Sequence, residues 1–189
     1  MKRIVITGGP GAGKTVITQR IALAHPARFV AVPEAATQVY AALNTRWDKL
    51  DLAGKHDAQR RMYRLQLEQE DRIARAHPGK ILLLDRGTID GAAYWPEGFD
   101  AFWQDVGSTS QRELARYDAV IMLETCAAIG LYDNDASNPC RFEDQEAAIA
   151  AGQRLVDLWS AHPRLHHVPA CERLDDKIAA VEKLLDCST

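Results

Sequence analysis

The chain alternates between short, continuous apolar runs and longer stretches whose apolar positions recur at helical spacing. The predicted strands are Arg3–Thr7, Phe29–Pro33, Lys80–Asp85, Ala119–Glu124 and Leu165–Pro169. The third and fourth contain four apolar residues in succession, which is typical of strands buried on both faces of a parallel sheet. Because helical stretches separate the strands, the pattern predicts an α/β fold with a parallel sheet.

The longest helical pattern covers His56–Ala76. Its predicted inward stripe is Ala58, Met62, Leu65, Gln69, Ile73 and Ala76. The tripeptide Ala-His-Pro follows this pattern at residues 76–78 and closes two others at 24–26 and 161–163. Histidine suits the negative end of a helix dipole, and proline cannot continue a helix. We therefore interpret the three histidines as helix ends rather than metal ligands.

A glycine-rich loop joins the first strand to a helical pattern that begins at Lys14. The loop fits G-x-x-x-x-G-K-[ST], with Gly8, Gly13, Lys14 and Thr15 in the fixed positions. Glycines let backbone N–H groups surround a phosphate chain, and the helix N-terminus adds unpaired donors. The lysine meets the β- and γ-phosphates, and the threonine hydroxyl can ligate Mg²⁺. The predicted nucleotide-binding residues are Gly8, Gly9, Pro10, Gly11, Ala12, Gly13, Lys14, Thr15 and Val16.

Acidic residues follow two other strands, at the sheet edge where parallel α/β folds bind ligands. Asp85 ends the third strand after four apolar residues, so Asp85 and Thr15 are the predicted Mg²⁺ ligands. Glu34 follows the second strand, where it could also be a simple helix N-terminal acid. A phosphoryl acceptor must lose a proton, and either Glu34 or Asp85 could be the base that receives it.

Arg141 lies between the polar stretch Tyr132–Cys140 and the next helical pattern. An arginine there could close over the transferred phosphoryl group. The predicted catalytic residues are Lys14, Glu34, Asp85 and Arg141. We expect a single domain over residues 1–189, with a small lid at about 130–145.

Several segments together resemble a family of small P-loop proteins. The phosphate loop, Val32–Ala36, Asp85–Trp95 and Arg141–Glu143 resemble proteins commonly called AAA-family ATPases, which are kinase-like in build. The family includes the TRPL-translocation-defect proteins and is similar to the nicotinamide-riboside kinase domain. The resemblance implies a three-layer P-loop fold whose five-stranded parallel sheet has the order 2-3-1-4-5.

The same resemblance bears on substrate binding. Asp85-Arg86 looks like the Asp/Glu-Arg signature of nucleoside and nucleotide kinases, in which the arginine binds phosphate or orients the acid. Arg86, Asp90 and Tyr94 are therefore expected, with Glu34, to contact the substrate. Some relatives bind GTP and phosphoinositide.

Composition limits the partners and the compartment. A formal net charge of −3 argues against a nucleic-acid partner bound by bulk charge. No apolar run approaches ~18 residues, which predicts no transmembrane segment. The first strand begins at Arg3, which leaves no room for a signal peptide. Four cysteines without a C-x-x-C pair are typical of free thiols, so we expect a cytoplasmic protein, with a homodimer possible.

These features predict a Mg²⁺-dependent kinase that transfers the γ-phosphate of ATP or GTP to a small, hydroxylated, nucleoside-like acceptor. The alternative is a nucleotide-dependent binding or switch protein without kinase activity. The absence of an Asn-Lys-x-Asp segment after a strand disfavours a Ras-like switch. An AAA+ motor is disfavoured because Arg86 follows Asp85, where hydrolytic motors usually carry a glutamate.

Overall fold

The computed structural model describes residues 1–131 and 144–187. A five-stranded parallel sheet lies at its centre, with the strand order β2-β3-β1-β4-β5. The strands are β1 (Arg3–Gly8), β2 (Phe29–Val32), β3 (Ile81–Asp85), β4 (Ala119–Leu123) and β5 (Leu165–Val168). The predicted strands, their parallel pairing and their order are confirmed.

Helices cover both faces of this sheet. They are α1 (Lys14–Ala24), α2 (Ala35–Leu43), α3 (Leu52–Ala76), α4 (Phe99–Val106), α5 (Ser110–Leu114), α6 (Gln145–Trp159) and α7 (Leu174–Cys187). Short 3₁₀ helices occur at Trp47–Lys49, Thr88–Tyr94 and Cys126–Ile129. No helix in the described ranges is both long enough and apolar enough to cross a membrane.

Two apolar clusters make the structure three-layered, as predicted. Ile4 and Ile6 of β1 pack in one cluster with residues of α1 and α7. Val5, which lies between them, packs in the other cluster with residues of α4 and α6. The division follows from strand geometry, because successive side chains point to opposite faces of a sheet.

The long helix α3 differs from its prediction in start and in buried face. It begins at Leu52 rather than His56, because the Asp51 side chain accepts a hydrogen bond from the Gly54 amide and caps the first turn. Its buried residues are Ala58, Gln59, Met62, Gln66, Gln69 and Glu70. The predicted stripe was wrong at Ala76, which is exposed. The inward face is more polar than expected because it lines a cleft and a buried hydrogen-bond network.

Two of the three predicted histidine helix ends are confirmed directly. His25 and His77 close α1 and α3, and each backbone N–H donates to the carbonyl four residues earlier. His162 lies three residues beyond the end of α6 and is buried, with its ring Nε2 3.0 Å from the Tyr117 carbonyl oxygen. This third histidine therefore also ties the end of the α6 segment to the start of β4.

Candidate active site

A cleft of about 900 Å³ opens at the carboxyl ends of β1, β2 and β3. The phosphate loop and the start of α1 form one end, and α2, α3 and the 3₁₀ helix after β3 form the other. Glu34, Asp85 and Arg86 lie among the residues that line the cleft between these ends. The cleft therefore brings the predicted nucleotide residues together with the acidic residues that follow β2 and β3.

At Gly8 and Gly9 the phosphate loop packs too closely against its neighbours for a larger side chain. A Cβ atom on Gly8 would lie 2.1 Å from the Leu123 carbonyl oxygen, and one on Gly9 would lie 2.8 Å from the Ala148 carbonyl oxygen. Gly13 has φ +87°, a left-handed conformation that glycine adopts without steric cost. Pro10, Gly11 and Val16 line the cleft, and Val16 is an exposed residue of α1, whereas Ala12 is buried.

Lys14 folds back over this loop. Its ammonium donates hydrogen bonds of 2.9 Å to the carbonyl oxygens of Gly8 and Gly9, and the residue is 8% exposed. Burial, together with the nearby Arg86 guanidinium, lowers the pKa of Lys14 to about 8. A phosphate chain entering the cleft would give this buried cation an anionic partner.

Thr15 and Asp85 meet as the sequence predicted for a metal-binding pair. The Thr15 hydroxyl donates to Asp85 Oδ2 at 2.5 Å. The other carboxylate oxygen, Oδ1, is buried and has no hydrogen-bond partner among the described residues. Burial, with the negative charge of Glu34, raises the pKa of Asp85 to about 6. A hydroxyl and an unsatisfied carboxylate oxygen are hard donors that suit Mg²⁺, so the residues present fit the metal.

Glu34 is held by Arg86, which comes from the end of the adjacent strand β3. Arg86 Nε donates to Glu34 Oε1 at 2.5 Å, and the Thr37 hydroxyl donates to Oε2 at 2.8 Å. Burial alone would raise the pKa of Glu34, but Arg86 and Lys14 hold it below its ordinary value. Glu34 is therefore an ionised carboxylate at neutral pH, which is the form a catalytic base requires.

Arg86 also forms an ion pair with Asp90. Arg86 has φ +74°, an uncommon conformation for a residue with a side chain, and its Nη1 lies 3.6 Å from Asp90 Oδ2. Asp90 accepts hydrogen bonds of 2.7 Å from the Thr7 hydroxyl and from Trp159 Nε1. The Tyr94 ring centroid lies 5.7 Å from the Arg86 guanidinium carbon. Of the residues expected to contact substrate, Asp90 is thus engaged with the protein itself.

A buried polar network behind this segment was not predicted. Glu70, which is 0% exposed, accepts hydrogen bonds from Gln66 Nε2, Arg116 Nη2 and the Tyr117 hydroxyl. Gln66 also donates to the Arg86 carbonyl oxygen at 3.2 Å, and the Tyr117 hydroxyl accepts from the Thr88 amide at 2.8 Å. The network therefore fixes the backbone on both sides of Gly87. The sequence feature that could have indicated this network is the i,i+4 spacing of Met62, Gln66 and Glu70, which places the two polar residues on the same helix face as a buried methionine.

We expect Tyr117→Phe to destabilise the protein by about 1–3 kcal/mol, because the Thr88 amide loses a buried acceptor and Glu70 loses a donor. Urea denaturation measures the change. Tyr63→Phe is the matched comparison, since the Tyr63 hydroxyl donates to Glu113 from a half-buried position, and its cost should be smaller. Equal effects of the two substitutions would contradict a special role for the Glu70 network.

Arg141 and most of the expected lid lie outside the described residues, so the predicted catalytic set is brought together here only as Lys14, Glu34 and Asp85.

Known proteins share this fold at low sequence identity. The NadR protein in complex with NAD and AMP-PNP has a TM-score of 0.67 at 17% identity, over 99% of this chain and 49% of that one. Thymidylate kinase from Candida albicans has a TM-score of 0.67 at 15% identity, with 98% and 91% covered. Deoxyadenosine kinase from M. mycoides has a TM-score of 0.64 at 14% identity, with 98% and 99% covered. The chain thus spans about half the length of NadR.

No curated protein matches the sequence. A family model described as an AAA domain, however, matches residues 3–172, which is most of the chain. The predicted resemblance to small kinase-like P-loop proteins is confirmed by this match together with the shared fold. The protein therefore belongs to this AAA-domain family, and within it the chain is a small P-loop protein with the fold of nucleoside and nucleotide kinases.

Proposed function

We propose that the protein is a Mg²⁺-dependent kinase that transfers the γ-phosphate of ATP or GTP to a hydroxyl group of a small, nucleoside-like acceptor. One observation carries the proposal. The ionised Glu34 lies in a single cleft of about 900 Å³ that extends from the phosphate loop to a chamber between α2, α3 and the 3₁₀ helix after β3. Structures of similar fold are named as kinases or contain AMP-PNP, which supports the same reaction class.

Each residue has a defined part in this reaction. Lys14 and the loop amides hold the phosphates, and Arg86 keeps Glu34 ionised and oriented. Glu34 receives the proton of the acceptor hydroxyl as the hydroxyl oxygen forms a bond to the γ-phosphorus. The bond between that phosphorus and the leaving nucleoside diphosphate breaks at the same time. Thr15 and Asp85 would hold Mg²⁺, which supplies neutralisation of phosphate charge. Arg141 stays a predicted lid arginine.

The chamber beyond Glu34 favours an acceptor that carries no phosphate. Its aromatic and amide side chains are Tyr40, Trp47, Tyr63, Tyr94, Gln38, Gln59 and Gln66. Over the described residues, the cations lining the cleft are Lys14 and Arg86, whereas Glu34, Asp85 and Asp90 are acidic. Among the described residues, a phosphorylated acceptor would therefore meet carboxylates and no cation other than Lys14 at the phosphate loop and Arg86, which is paired with Glu34. Aromatic and amide groups instead suit the stacking and hydrogen bonding of an uncharged, planar group.

A two-stage experiment tests this function. A thermal-shift screen of nucleotides and nucleosides identifies ligands, since a ligand at 100 times its Kd should stabilise the protein by ~2.7 kcal/mol. Transfer of ³²P from ATP and GTP is then measured to nucleosides and, in parallel, to their 5′-monophosphates. Labelling of nucleosides in preference to monophosphates supports the proposal. If nucleotides bind but no acceptor is ever labelled, the protein is a nucleotide-dependent binding or switch protein instead.

Replacing Thr15 by valine should weaken nucleotide binding about tenfold in Mg²⁺ and much less in EDTA, because only the hydroxyl that would ligate the metal is lost. Isothermal titration calorimetry with ATP in both buffers measures the difference. Thr37→Val is the matched control, because the Thr37 hydroxyl contacts Glu34 rather than Asp85. Equal losses in Mg²⁺ and in EDTA would argue against Thr15 as a metal ligand.

A further inference from the structure

Lys177 is a buried cation that the proposed reaction does not use. It belongs to α7 and is 1% exposed. Its ammonium donates to the carbonyl oxygens of Glu124 at 2.8 Å and Ala12 at 3.3 Å. Within residues 1–131 and 144–187, no carboxylate lies within 4.0 Å of this ammonium. Among the described residues, the ammonium therefore donates only to main-chain oxygens, and one of them belongs to the phosphate loop.

The contact with Ala12 bears directly on phosphate binding. The Ala12 carbonyl and the Gly13 N–H are parts of one planar trans peptide unit and point in opposite directions. Holding the oxygen toward α7 therefore directs the Gly13 N–H away from α7, and Gly13 lines the cleft. Thr125 makes a similar contact two residues earlier in the loop, since its hydroxyl donates to the Pro10 carbonyl oxygen at 2.5 Å.

The two main-chain hydrogen bonds account for a donor at this position but not for a full positive charge. Burying an ammonium without a carboxylate is costly, and hydrogen bonds to neutral carbonyl oxygens offset that cost only in part. The cost is offset when an anion binds nearby, because charges interact more strongly in a poorly hydrated interior than in water. Hydrogen bonding to a peptide carbonyl also strengthens the N–H donor of the same unit.

We propose that Lys177 is a positioning residue for the phosphate loop, which aims and polarises the Gly13 N–H and adds a buried positive charge behind the nucleotide phosphates. This inference rests on the proposed nucleotide binding and deepens it. The group recognised is the phosphate chain itself, so the contribution of Lys177 should increase with the number of phosphates on the ligand.

The variants Lys177→Met, Lys177→Gln and Lys177→Arg separate charge from hydrogen bonding. Lys183→Met is the matched control, because Lys183 is an exposed lysine of the same helix. Calorimetry with Mg-ATP, Mg-ADP, AMP and inorganic tripolyphosphate measures affinity. We expect Lys177→Met to weaken Mg-ATP and tripolyphosphate binding by about tenfold or more, with a smaller loss for ADP and the smallest for AMP. Lys177→Arg should recover part of the loss, and Lys183→Met should have no effect.

Thermal unfolding of the nucleotide-free variants distinguishes positioning from structural support. A positioning role predicts that the discrimination of Lys177→Met between ATP and AMP declines, even if the loss of two hydrogen bonds to main-chain oxygens lowers its Tm. Unchanged discrimination would overturn the proposal, and together with a lower Tm it would show that Lys177 gives structural support alone. If the methionine variant does not fold, Lys177→Gln, which keeps a neutral donor, decides the question, and unchanged ATP affinity in that variant overturns it. Wild-type protein that binds neither nucleotide nor tripolyphosphate would instead refute the proposed function.

Discussion

Replacing Glu34 by glutamine should lower kcat by about 10²–10⁴, the usual contribution of a positioned base, and should leave nucleotide affinity nearly unchanged. Glutamine has the same shape but cannot receive the acceptor proton. The structure favours Glu34 over Asp85 for this role because their surroundings differ. Asp85 is hydrogen-bonded to Thr15, with which it would hold the metal, whereas Glu34 is ionised and is oriented in the cleft by Arg86 and Thr37.

Single-turnover ³²P transfer and calorimetric titration of Mg-ATP together measure this split between turnover and binding. Asp85→Asn is the informative comparison, since loss of a metal-binding carboxylate should raise the Mg²⁺ concentration needed for activity. Glu68→Gln, an exposed glutamate of α3, is the matched control and should be silent. If Asp85→Asn removes turnover at saturating Mg²⁺ and Glu34→Gln does not, the base is Asp85.

The sheet was predictable because its information is local. Runs such as Ile81–Leu84 are apolar at every position, and the phosphate loop fixes where the first strand ends. The proximity of Glu34 and Arg86 was harder to predict from the sequence, because the two residues are 52 positions apart. It follows only once β2 is known to pair with β3, which brings the two strand ends together. The resemblance to P-loop kinases supplied that order.

The buried position of Lys177 could not be inferred from composition, because a residue count does not distinguish buried lysines from exposed ones. Lys177, however, shares i,i+4,i+8 spacing with Val181 and Leu185, and these three are the buried residues of α7. A charged residue within an otherwise apolar stripe was therefore the available signal. The hydrogen-bond partners of Lys177 could not be predicted from the sequence, because they are the main-chain oxygens of Ala12 and Glu124, which every residue type carries.

Lys14→Ala should reduce the affinity for Mg-ATP and Mg-GTP by on the order of 10² or more, because several charge-assisted hydrogen bonds to phosphate are lost together. The fold should survive, since among the described residues the ammonium donates only to the Gly8 and Gly9 carbonyl oxygens of its own loop. Calorimetry measures the affinity and thermal unfolding the integrity, with Lys183→Ala as the exposed-lysine control. A folded Lys14→Ala protein that binds both nucleotides as tightly as wild type would refute the phosphate-loop interpretation.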